Sequence, residues 1–146
     1  MKKLALLPVA AAAALVVAAL APGGRQMSMK FTAVLNAGQE VPHPSHVGSG
    51  ASGKFTATLV GTKLTWRLTF SHLTGPASAA HIHAGKKGVA GAVLVPLCAP
   101  CTSPASGTAT VTSAVMKQME HGTAYVNVHT AKNPNGEIRG QIKESM

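Results

Sequence analysis

The sequence predicts an all-β domain, a sandwich or Greek-key barrel of about seven or eight short strands with one short helix. Three observations carry that prediction. Apolar and polar residues alternate with period two through most of the chain, the pattern of half-buried strands. Clusters of Gly, Pro, Asn and Ser separate the alternating runs, as turns between strands require. Two of the runs meet at Gly61-Thr62, a two-residue connection of the hairpin type.

The first segment is not part of that fold. "MKKLALLPVAAAAALVVAALA" begins with Lys2 and Lys3, continues as an uncharged apolar run from Leu4 to Leu20, and closes on the small-x-small triplet Ala19-Leu20-Ala21. This order of basic, apolar and small residues is that of a secretory signal peptide. As a membrane anchor the run is short and weakly hydrophobic, because so much of it is alanine. No Cys follows it to accept a lipid. Residues 1–21 are therefore expected to be removed, with 22–29 a flexible segment and 30–144 the β-domain. The mature chain then has no transmembrane segment and is secreted or periplasmic.

Within the domain, "MKFTAVLN" sets Phe31, Ala33 and Leu35 against Thr32 and Val34. "GKFTATLV" sets Phe55, Ala57 and Leu59 against Thr56 and Thr58, and "KLTWRLTF" sets Leu64, Trp66, Leu68 and Phe70 against Thr65, Arg67 and Thr69. "AAHIHAG", "GAVLVPL", "GTATVT", "TAYVNVHT" and "GEIRGQIK" supply further strand-like runs. The expected core is Phe31, Leu35, Phe55, Leu59, Leu64, Trp66, Leu68, Ile82, Val93, Val95, Val126, Val128, Ile138 and Ile142. "TSAVMKQMEHG" breaks the rule. Its Val115, Met116 and Met119 have helical spacing, Thr112 or Ser113 can cap the start, and Gly122 can end it.

The chain is basic, with 13 Lys and Arg against 4 acidic residues, a net charge of +9, and no Asp at all. Nucleic acid is the obvious partner for such a chain. The lysines are scattered, however, and no row of aromatic residues is present for bases to stack on. Together with export, this argues against nucleic acid and for weak attraction to an anionic envelope surface. The only cysteines, Cys98 and Cys101 in "CAPC", lie in an extended, Pro-rich stretch unlike the helix N-terminus of a thioredoxin-type motif. Export favours a local disulfide, and a thiolate pair for a soft metal is the alternative.

"FTAVLNAGQEVP", "LTWRLTFSHLTGPASAAHIHAG" and "GTAYVNVHTAKNPNGEIRGQI" together resemble the CHRD domain, named for chordin and common in bacterial exported proteins. The resemblance spans about Phe31 to Ile142. It implies an immunoglobulin-like β-barrel related in shape to copper–zinc superoxide dismutase, and an extracellular structural or interaction module. It does not supply an activity.

The chemistry-bearing residues are histidines. On a strand, His81 and His83 share one face while Ile82 faces the core, and in "TAYVNVHT" His129 lies on the side opposite Val126 and Val128. If the two strands are neighbours, His81, His83 and His129 converge as three imidazoles with an open fourth position, a set that suits copper or zinc. The bland alternative is a polar face bearing histidines by chance. His43 and His46 fall in a loop. His72 is in line with Trp66, Leu68 and Phe70 and is expected to be partly buried, and His121 suits a helix C-terminus. Glu137 and Arg139 are expected to form a structural salt bridge, and Glu40 is a carboxylate that can partner a basic or metal site. A dismutase-like enzyme needs more His ligands and an Asp at zinc, and a Ser-His-Asp triad also needs Asp. The chain is therefore expected to be no enzyme but an exported metal-binding β-protein. The alternative is an envelope module that binds another envelope or extracellular protein without metal.

Overall fold

A computed structural model of the chain describes residues 26–146; the expected signal peptide and its cleavage point lie outside the described residues. Nine strands form one antiparallel sheet: β1 Ser28–Asn36, β2 Ser52–Val60, β3 Lys63–Ser71, β4 Ala77–Ala84, β5 Val93–Cys98, β6 Ala105–Thr110, β7 Ala124–Thr130, β8 Ile138–Gln141 and β9 Lys143–Ser145. A 3-10 turn, Ala37–Gln39, follows β1, and one helix, α1, spans Ser113–Glu120. The ladder runs β5-β4-β7-β8-β1-β2-β3-β6, with β9 also on β1. The end strands β5 and β6 approach each other, so the sheet is nearly closed into a barrel, the fold class expected. The ladder places β4 beside β7, far from it in the chain, and that pairing builds the site.

Alternation decides the interior. Phe31, Leu35, Phe55, Leu59, Leu64, Leu68, Ile82, Val126, Val128, Ile138 and Ile142 are all sealed inside the barrel, with Trp66 and Val95 nearly so. Val93 is not: it is 51% exposed. A register shift between Ile82 and His83 sets Val93 opposite His83, on the outer side of an edge strand. His72 is also exposed, because the chain leaves β3 at Ser71 and turns into left-handed backbone at His72 (φ 59). Strand parity therefore no longer applies to it. β1 begins at Ser28, two residues ahead of the expected start of the domain.

Helix α1 buries Val115 and Met119 and is capped at its N-terminus by the Thr112 hydroxyl, which accepts the Val115 N–H. His121 stands at its C-cap and Gly122 (φ 66) ends it. The sulphurs of Cys98 and Cys101 are 2.08 Å apart, at disulfide distance, in the link between β5 and β6.

Candidate metal centre

Strands β4, β7 and β8 carry a second, polar packing layer on the outside of the barrel. In their register His81 stands opposite Asn127 and His83 opposite Tyr125, while Asn127 and Tyr125 stand opposite Arg139 and Gln141. Residues 85–92 and the chain around Glu40 and Pro134 fold over this face. Every residue of β7 is buried as a result, and burial alone does not reveal its alternation.

His81, His83 and His129 converge under that cover, each offering a ring nitrogen within 4.8 Å of the other two. Two of the rings are held by backbone carbonyls. His83 Nδ1–H donates to Gly91 O at 2.9 Å, and His129 Nδ1–H donates to Pro134 O at 2.9 Å. Those bonds fix the tautomer, so that Nε2 of each ring carries a free lone pair. His83 Nε2 is buried with no hydrogen-bond partner among the described residues. His129 Nε2 lies 3.0 Å from His81 Nδ1. His81 can donate a proton from Nδ1 to that nitrogen or, in the tautomer protonated at Nε2, present Nδ1 to a cation. Burial, with the neighbouring imidazoles, lowers the pKa of His81, and burial also lowers that of His129 against the opposing bond to Pro134. Both rings are thus held in the neutral form that coordinates metal.

The surroundings stiffen the cluster. The Tyr125 ring stacks on His83, with centroids 5.1 Å apart and planes 11° apart, and its hydroxyl accepts the Gly91 N–H. The Arg139 guanidinium lies 3.4 Å from the Tyr125 centroid, donates to Lys86 O, and is 1% exposed. Gln141 donates to Gly85 O, Gly122 O and Ala124 O. The loop that supplies the Gly91 carbonyl is therefore anchored at several points.

The expected Glu137–Arg139 salt bridge does not form. Both residues are buried, but Glu137 turns to Thr74, Thr130 and Asn133, whereas Arg139 reaches the 85–92 loop. Short hydroxyl and amide donors reach the carboxylate where it stands, and the guanidinium finds carbonyls and an aromatic face instead. His43, His46, His72 and His121 are exposed and stay outside the cluster. The carbonyls of Gly91 and Pro134 carry no signal in a sequence, because every residue has one.

The CHRD domain family matches residues 31–142, most of the chain. This protein belongs to the CHRD family. No curated protein and no solved structure matches the chain. In this CHRD domain the histidine cluster sits on the outside of a nearly closed β-barrel.

Glu40 completes the polar layer of the CHRD fold. It is 2% exposed, and burial raises its pKa from 4.5 to about 7, against the opposing pull of Arg139, the Val41 N–H and Asn127. Gly136 (φ 127) makes room for it: a Cβ there would stand 2.4 Å from Glu40 Oε1. A proton bound in the folded state and absent from the unfolded one stabilises the fold at low pH, and that stability is lost as pH rises from 4.5 towards 7. Glu40→Gln is expected to remove that decline, worth about 3 kcal/mol, so that the urea midpoint no longer falls between about pH 5 and about pH 8 and rises instead with the lowered pKa values of His81 and His129. An unchanged slope in the variant would assign the pH dependence to another group.

Proposed function

We propose that this CHRD domain is an exported, non-catalytic module that binds one transition-metal ion, copper(II) or zinc, through His81 Nδ1, His83 Nε2 and His129 Nε2. One observation carries the proposal: three imidazoles converge, and two of them are aimed by backbone carbonyls. Ligating histidines are oriented this way by outer partners. Three nitrogen ligands leave a fourth position for water or an exogenous donor, and imidazole suits both ions. Export by the N-terminal signal peptide and a Cys98–Cys101 disulfide belong to the same proposal, since both fit an oxidising compartment.

The 3.0 Å contact between His81 and His129 favours a second reading. That hydrogen bond satisfies two of the three rings without any ion, as in a module that only packs and meets an extracellular partner. Metal analysis of the purified chain, before and after chelation, separates the two. One equivalent of copper or zinc, removed by chelator and restored on titration, is the expected result. Absence of binding at micromolar metal would leave the interaction module.

A further inference from the structure

The barrel wall away from the histidines has its own chemistry. The outer face of β1, β2, β3, β6 and β9 carries Lys30, Lys54, Lys63, Arg67 and Lys143, all exposed. No carboxylate shares this face among the described residues. Glu40 and Glu137 are buried elsewhere, Glu120 is on α1, and Glu144 stands opposite inward-facing Phe31. The remaining positions of the face are mostly Ser or Thr, with Asn36 and the exposed Val34 and Val60 among them. Lys30 stands between Thr58 and Ser145, and Arg67 stands between Thr56 and Ser106. Lys54 stands between Val34 and Thr69, and Lys63 between Val60 and Thr110, so each of these four cations has at least one hydroxyl beside it and none is directly opposite another. Lys30, Lys54 and Arg67 border a trough of about 560 Å³.

From this placement we infer that the β1–β2–β3–β6 face binds an anionic polysaccharide, a chain bearing sulfate or carboxylate groups. The lysines and arginine meet the charges, and the interspersed hydroxyls can donate to and accept from sugar hydroxyls. A second copy of the domain does not fit, because it would set five cations against five. Nucleic acid fits less well, since Phe31, Phe55 and Trp66 all point inward and leave no aromatic platform for bases. This inference does not depend on the metal site, which lies on β4 and β7.

The test measures binding of the purified chain to dextran sulfate, polygalacturonate and neutral dextran, with single-stranded DNA and anionic lipid vesicles alongside. Binding to one or both charged polysaccharides but not to neutral dextran, weakening with salt, is expected. Which of the two binds distinguishes sulfate from carboxylate. Lys54→Glu with Arg67→Glu should reduce that affinity by about tenfold or more, while Lys117→Glu with Lys132→Glu, an equal change of net charge elsewhere, should leave it nearly unchanged. The exposed sites allow both variants to keep the native circular dichroism. Equal losses in the two variants, tighter binding to DNA or vesicles, or no binding to either polysaccharide would overturn the inference.

Discussion

Alanine at both His83 and His129 is expected to lower the affinity for copper(II) or zinc by at least about two orders of magnitude, read by isothermal titration of the chelated chain. Loss of a single partner that merely orients a ligand costs about 10–100-fold, and this variant removes two of three ligands. The remaining ring, His81, is half-exposed and makes no bond to a backbone carbonyl that would aim it. His43→Ala is the control, since His43 is exposed on a loop outside the cluster, and it should bind as the unaltered chain does. The barrel should survive, because the core of β4 and β7 is built by Ile82, Val126 and Val128 from the other side. Equal binding by the double variant and the unaltered chain would place any metal elsewhere.

Glu137→Ala is expected to destabilise the fold by about 2–4 kcal/mol, since it strands several buried donors at about 1–3 kcal/mol for each that finds no other partner. The residue is 0% exposed. Its Oε1 accepts the Thr74 N–H at 2.6 Å, and its Oε2 accepts the hydroxyls of Thr74 and Thr130 and the Asn133 amide. Asn133 in turn accepts the Ser45 N–H at 3.0 Å, so one carboxylate ties the β3–β4 connection and the 41–50 loop to the turn before β8. Burial pushes the Glu137 pKa up, but the hydrogen bonds from Thr130, Thr74 and Asn133 outweigh it and hold the pKa below 4.5. Its contribution is complete above the ordinary carboxylate range and is lost as pH falls through the lowered value. Chemical denaturation against pH checks both points, and Glu137→Gln should flatten the acid limb. A variant as stable as the parent would show that the four donors find other partners. The same turn presents the Pro134 carbonyl to His129, so weakened metal binding should accompany the lost stability.

Much of this was legible in the residues. Period two identified the strands, and the parity of Ile82, Val126 and Val128 put His81, His83 and His129 on the opposite side of their strands. Helical spacing and Thr112 located α1. What escaped depends on contacts between distant segments. Val93 was misplaced because a register shift is a property of a strand pair, and His72 because the strand ended one residue earlier. Glu137 and Arg139, two positions apart, looked like partners, yet their donors and acceptors come from Thr74 and from the loop after β4. The polar layer over β7 was also hidden, since a loop that buries polar residues has no hydrophobic pattern of its own.

The meeting of β5 and β6 has a consequence for how the protein behaves at high concentration. An open sheet ends in two rows of unpaired amides and carbonyls, each a template for a strand from another molecule. Here the two end strands approach each other, and Cys101, in the link between them, bridges back to Ala77 of β4. Pro96 within β5 removes a donor from its edge, while Pro100 and Pro104 stiffen the connection between the strands. A foreign strand therefore meets a narrow seam rather than a free edge, and a domain built on one β-sheet is guarded against templated aggregation by the approach of its own ends.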